Sequence, residues 1–188
     1  LTSWNSLMIS AYVAGYVATG KEIYLETARN CALFILEKLV KNGRLLRTYG
    51  KGRAKLNGYL EDYAYFVQAL LDLASADPDE RWLANARSLT DVMLERFNDT
   101  EEGGLYYTSD DHEQLVTRPR SHFDGAVPSG TSVATMNLVR LARITGHDPY
   151  ITRAQGLLLL YAPFFRKLPD QFGNLLCAAD LFIHADQE

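Results

Sequence analysis

The stretch DPDERWLANA, Asp77 to Ala86, closes one helical pattern and opens another, and the same phrase occurs twice more, as TGKEIYLETA, Thr19 to Ala28, and TGHDPYITRA, Thr145 to Ala154. Aligning Gly20, Pro78 and Gly146 brings Tyr24, Trp82 and Tyr150 into register, then Leu25, Leu83 and Ile151, then Ala28, Ala86 and Ala154. The repeat step is 58 residues from Gly20 to Pro78 and 68 from Pro78 to Gly146. Self-similarity at such steps marks stacked supersecondary units. Each unit reads as a helix, a tight turn and a second helix, followed by a longer connection.

The helices themselves carry apolar stripes. Trp82, Leu83, Ala86, Leu89, Met93 and Phe97 recur at three- and four-residue steps after the turn, and Tyr63, Phe66, Val67, Leu70 and Ala74 do so before it, as a helix with one buried face requires. Two of the longer connections, Gly43 to Gly50 (GRLLRTYG) and Gly103 to Pro119 (GGLYYTSDDHEQLVTRP), have β-compatible residues around a polar turn and predict short β-hairpins. Helical hairpins joined by long, partly stranded loops predict a curved two-layer array with one helix of each pair inside. The closed form is an α/α toroid; a straight α-solenoid, the alternative, has shorter and more regular repeats. The expectation is an all-α chain, residues 1–188 forming one partial toroid domain of about three hairpins with short β connections.

Composition narrows the function classes. With 47% hydrophobic and 22% charged residues, 188 residues suffice for one sizeable core. A net charge of −4 argues against nucleic acid and anionic membrane surfaces as partners. The longest apolar run, Gly156 to Phe165, is too short for a membrane span and is followed by Arg166 and Lys167. Cys31 and Cys177 form no C-x-x-C and have no His at zinc-ligand spacing, so they read as buried thiols with no metal or cofactor, in a cytoplasmic, reducing setting. The chain opens at Leu1 without a signal-peptide pattern and reads as a piece of something longer.

The repeat register also locates a candidate site. It equates Ser3, Trp4 and Asn5 with Glu61, Asp62 and Tyr63, and with Ser129, Gly130 and Thr131. If these helices form the inner layer, their N-termini and the loops before them converge on one rim. There LNGYLEDYAY, Leu56 to Tyr65, sets Glu61 and Asp62 among three tyrosines. Adjacent helical residues diverge by about 100°, so the two acids do not serve as a catalytic pair with each other. The second carboxylate expected opposite them is Asp124, in the turn-rich HFDGAVPSG. Each acid has a plainer alternative: Glu61 and Asp62 as first-turn residues favoured by the helix dipole, Asp124 as a turn stabiliser.

The remaining candidates are weighed the same way. His122 reads as an acid or base near neutral pH or as a solvated loop residue. Trp4 reads as a core aromatic or as a stacking platform on the rim, with Asn5 beside it. Tyr59 and Tyr63 offer rings and hydroxyls to a ligand. Among the loop arginines Arg47, Arg53, Arg118 and Arg120, Arg118 is taken as a ligand contact. Ser129 is read as a helix cap, because no G-x-S-x-G or Ser-His-Asp order supports a nucleophile.

LTSWNSLMI (1–9), GYLEDYA (58–64), GGLYYTSDD (103–111) and FDGAVPSGTS (123–132), in this order, resemble the C-terminal half of the thioredoxin-domain-containing, spermatogenesis-associated protein family. The resemblance covers nearly the whole chain. It implies an α/α toroid similar to six-hairpin glycosidases and N-acylglucosamine 2-epimerases, and with it a sugar or similar polar metabolite on the rim. Hydrolysis would use Asp62 and Asp124 as acid and base, with Glu61 beside them; epimerisation would lean on His122. The competing expectation is a non-catalytic scaffold whose concave face binds a protein. The thioredoxin-like domain and earlier hairpins of that family are not in this sequence, so the first and last helices are expected to present apolar edges. The missing hairpins or a second copy in a homodimer would cover them.

Overall fold

A computed structural model of the chain describes residues 1–113 and 117–184. It contains helices α1 (Thr2–Thr19), α2 (Glu22–Leu39), α3 (Leu60–Ala76), α4 (Arg81–Arg96), α5 (Gly130–Thr145), α6 (Asp148–Phe165) and α7 (Gly173–Ile183), with strands β1 (Val40–Lys41), β2 (Arg44–Gly50) and β3 (Arg53–Asn57) between α2 and α3. The strands form an antiparallel sheet in the order β1-β2-β3. Three helical hairpins, α1–α2, α3–α4 and α5–α6, are followed by α7.

Turn chemistry explains the hairpins. Gly20 and Gly146 close α1 and α5 in the left-handed conformation (φ 67° and 65°), which costs glycine nothing. In the middle repeat the same job falls to Asp77 in an extended conformation ahead of Pro78. The aromatic that follows is locked each time. Trp82 is buried with Nε1 donating to Asp77 (2.9 Å), and Tyr150 is buried with its hydroxyl on Asp91 (2.6 Å). Tyr24 packs its ring on Gly15, where a β-carbon would lie 3.4 Å away.

The odd-numbered helices pack side by side in the order α1-α3-α5-α7, and α2, α4 and α6 each back their hairpin partner. This is the expected two-layer array. The central helix α3 is buried on nearly every side: Tyr63, Ala64, Tyr65, Phe66, Val67, Leu70, Leu71 and Leu73 all lie in the core. It has inner neighbours on both flanks and α4 behind it. Asn137 of α5 donates to the Ala64 carbonyl at 2.7 Å, a buried polar link between two inner helices.

Two expectations need correction. The segment Gly103 to Pro119 forms no strand among the described residues, only an isolated bridge between Asn98 and Leu105; positions 114–116 lie outside the described part. Its polar groups are instead spent on local turns and on the Tyr107 amide, which donates to Pro119. Nor are both cysteines buried: Cys31 is half-buried, its thiol pKa raised by burial, while Cys177 is exposed. Among the described residues no helix is long and apolar enough to cross a membrane.

Candidate functional site on the rim of the inner helices

The inner helices start together because side chains stitch their first turns. Asp62, at the third position of α3, is fully buried, and its carboxylate accepts the amide of Ser3 in α1 (2.9 Å), the amide of Tyr59 before α3 (3.0 Å) and Arg47 Nη1 (2.9 Å). Burial pushes the Asp62 carboxyl pKa up, against the pull of the Tyr59 amide, the Arg47 charge and the Ser3 amide. Asp124 does the same on the other side, accepting the amides of Ser129 at the start of α5 and Asn174 at the start of α7, both at 2.8 Å. Between them α5 approaches α3 so closely that a β-carbon on Gly130 would sit 3.0 Å from the Glu61 amide.

Glu61 is placed differently. Its side chain keeps 26% of its surface open, ion-pairs with Arg47 from β2 at 3.1 Å, and lies near enough to the Tyr107 phenol for its charge to act on it. Tyr107 is itself anchored, since its carbonyl accepts the Leu60 amide at 3.0 Å. Burial first and Glu61 second push the Tyr107 phenol up to about 12. Tyr65, whose hydroxyl donates to the Pro128 carbonyl, is also pushed to about 12, by burial and then by the charges of Glu61 and Asp124. The charges of Glu61 and Asp124 thus both act on the Tyr65 phenol. The rim offers a partly open carboxylate beside a guanidinium and the Tyr107 phenol, groups suited to hydroxyls, while the buried Tyr65 hydroxyl is spent on Pro128.

Other candidates are scattered. Trp4 projects from the start of α1, 70% exposed, so the core alternative is not realised. Asn5 is exposed and donates to the Leu1 carbonyl (2.6 Å). Tyr63 is buried, its hydroxyl accepting from the Leu45 amide (2.9 Å) and Arg44 (3.2 Å), which removes it from any ligand. Tyr59 has its faces occupied by Tyr107 (centroids 4.8 Å apart), His112 (5.0 Å) and the Arg47 guanidinium (4.5 Å), leaving no face for a sugar. Its edge still lines a cavity of about 380 Å³ with Asn57, Thr108, Asp111, His112 and Glu113. Arg118 donates to the carbonyls of Thr108 (2.5 Å) and Arg96 (3.2 Å) and stacks on Tyr106, so it ties loops together. His122 lies apart, against Tyr161 of α6. Ser129 caps α5, its hydroxyl accepting the Ser132 amide at 3.1 Å.

Sequence reasoning missed Tyr65 and Tyr107. The signal for Tyr107 was present: consecutive residues of an extended segment face opposite ways, and Tyr106 and Tyr107 do turn to different neighbours. The former meets Asp99, Arg118 and Arg120; the latter meets Tyr59 and Glu61. Caps at Leu1, Tyr59 and Ser129 also place the start of α5 two residues later than the repeat register, so Asp62 is matched by Ser132 rather than Gly130. No group of residues that could hold a metal ion occurs among the described residues.

No protein-family model matches the chain. It is 34% identical over 181 residues to spermatogenesis-associated protein 20 of Homo sapiens and 35% identical to that of Rattus norvegicus, matching 90% of this chain and 23% of each relative. The chain is thus homologous to less than a quarter of their length. Among solved structures it superposes on the GH76 α-mannanase of Bacteroides thetaiotaomicron with TM-score 0.75 (14% identity, 100% of this chain, 53% of that one). It superposes on a D-mannose isomerase with TM-score 0.72 (20% identity, 85% and 42%). For the cellobiose 2-epimerase of Spirochaeta thermophila the TM-score is 0.67 (18% identity, 85% and 42%). At these identities the likeness shows the fold, an α/α toroid, and the chain matches about half of each of these solved structures.

Proposed function

We propose that the chain forms one sector of a saccharide-binding α/α toroid and that Glu61, presented by Arg47 and Tyr107, is the rim carboxylate that meets the ligand. The observation that carries this reading is a division of labour. Asp62 and Asp124 each give both oxygens to backbone amides, whereas Glu61 sits on the open rim with only side-chain partners.

Fold neighbours support the ligand class: a mannanase, a mannose isomerase and a cellobiose epimerase share the architecture. A further fold neighbour, an α-1,6-mannanase of Salegentibacter, is inactive when two consecutive aspartates are replaced, and was solved with α-1,6-mannotriose. Glu61–Asp62 is likewise a consecutive acidic pair. Here its first member faces the rim and its second holds the frame, so Asp62 acts as a positioning residue and Glu61 as the proton-transfer group. Trp4 adds an exposed ring on the neighbouring helix. The hydrolytic pair Asp62 with Asp124 is the weaker choice, because protonating either would forfeit amide bonds that hold two helix starts.

In the longer protein, further helices of the ring are proposed to cover the exposed faces at the α1 and α6–α7 ends. The test is a thermal-shift panel of manno- and gluco-oligosaccharides against wild type and Glu61→Gln. Stabilisation of wild type that disappears in the variant supports the proposal; equal stabilisation of both counts against it.

A further inference from the structure

Behind the rim, on the outer side of the Tyr106–Tyr107 segment, lies a second cavity of about 280 Å³, bounded by Asp99, Glu102, Gly104, Arg120, His122, Tyr161 and Phe164. It shares no residue with the Glu61 cluster. Two polar side chains on its wall have hydrogen-bonding capacity left over among the described residues. Tyr161 is 4% exposed, and its hydroxyl makes no hydrogen bond among the described residues. His122 Nδ1 is buried with no partner either. A buried imidazole nitrogen is normally satisfied, and an orphan costs about 1–3 kcal/mol, so His122 Nδ1, on a residue that lines the cavity beside the unbonded Tyr161 hydroxyl, points to a ligand that completes both.

The lining says which ligand. Arg120 is consumed by Asp99 (Nε–Oδ2 2.8 Å) and by Glu102 (3.3 Å), so no free positive charge awaits an anion. Burial, then Arg120, lowers the His122 pKa, which keeps the imidazole uncharged at neutral pH. Asp99 is saturated by the amides of Glu101 and Glu102 and by the Tyr106 hydroxyl, leaving Glu102 as the open acceptor. The walls are aromatic: His122 stacks on Tyr161 at 5.1 Å, and Phe164 is partly exposed at the mouth. The volume falls just under the ~300–1,000 Å³ of sites for drug-sized ligands, which leaves room for one small ring.

We infer that this cavity is a second binding site, distinct from the rim, for a single neutral polyhydroxylated ring of hexose size, with Tyr161, His122 and Glu102 bonding its hydroxyls and Phe164 covering its apolar face. The site stands on its own geometry and does not depend on the rim reading.

The experiment follows the side-chain resonances of His122, assigned with a His122→Gln variant, during titration with D-glucose; inorganic phosphate is the charged comparator. A saturable shift of His122 with glucose is expected, absent with phosphate. Tyr161→Phe, which keeps the ring packing and removes one hydroxyl, is expected to weaken binding about fivefold. Gly104→Ala, whose β-carbon would lie 3.3 Å from the Tyr161 hydroxyl, is expected to abolish the shift by narrowing the cavity. In Glu61→Gln the shift persists. An unmoved His122, a response to phosphate, a shift unchanged in both pocket variants, or its loss in Glu61→Gln would each overturn the inference. The rim is read separately, by oligosaccharide binding to the Glu61 variant.

Discussion

The carboxylate of Asp62 accepts the backbone amide of Ser3 at 2.9 Å, across 59 positions of sequence and in complete burial. That one contact fixes the start of α1 to the start of α3, and Asp124 repeats it between α5 and α7. The inner helix starts are therefore held by acids whose oxygens are spent on backbone amides, which leaves Glu61 with side-chain partners alone.

Replacing Asp62 with alanine removes acceptors from two buried amides and leaves Arg47 with Glu61 alone. Urea unfolding at neutral pH is expected to show a loss of about 3–5 kcal/mol, the cost of stripping one partner from a buried charged network. Glu61→Gln, at a partly open site, is expected to cost about 1 kcal/mol or less in the same assay. A comparable loss in both would mean that the two acids share one structural role.

Gly130→Ala inserts a methyl group against backbone. Its β-carbon would lie 3.0 Å from the Glu61 amide and from Leu60, so α5 must move off α3. A destabilisation of about 1–3 kcal/mol is expected, together with weaker ligand binding because Glu61 is displaced. An unchanged unfolding midpoint would show that the helix starts are not in tight contact.

Asp77 links the first two repeats through Arg29 (2.7 Å) and Trp82. The Arg29 hydrogen bond holds its carboxyl below the usual carboxylate range. A folded-state pKa below the unfolded value of about 3.9 contributes stability that is present above about pH 5 and lost as the pH falls through the folded value. Asp77→Ala is expected to lower stability at pH 7 by about 1–2 kcal/mol and to flatten the stability curve between about pH 5 and pH 3. Parallel curves for wild type and variant over that window would refute the linkage.

Apolar side chains are open at both ends of the array: Trp4, Met8 and Val17 on α1, and Leu159 and Ile183 beside a groove between α6 and α7. Exposed apolar faces of this kind drive association. Light scattering of the 188-residue chain at about tens of micromolar is expected to show dimers or larger species, shifted toward monomer by Leu159→Lys with Ile183→Lys. A clean wild-type monomer would contradict this.

The fold was legible because it repeats. The TGKEIYLETA, DPDERWLANA and TGHDPYITRA phrases carry the turn and its locking aromatic in local sequence, so the hairpins followed from chemistry within ten residues. The rim as a place was legible for the same reason. What each acid does was not, because it depends on partners far away: Ser3 for Asp62, Asn174 for Asp124, and Tyr107 for Glu61. Nothing local distinguishes Glu61 from Asp62 until α1 arrives to claim one of them. Tyr63 misled for a related reason, since the strand that absorbs its hydroxyl comes from the preceding connection. His122 was noticed, but its aromatic neighbour Tyr161 lies on a helix whose pattern reads simply as core.

The central claim, that Glu61 rather than Asp62 or Asp124 meets a saccharide, is tested most directly by isothermal titration of short manno- and cello-oligosaccharides into wild type and Glu61→Gln at matched folded fraction. The account predicts measurable binding to wild type and at least about a tenfold loss in the variant, which corresponds to about 1.4 kcal/mol. Binding of equal strength to both proteins, or retained in Glu61→Gln and lost only when Asp124 is changed without loss of fold, would contradict it.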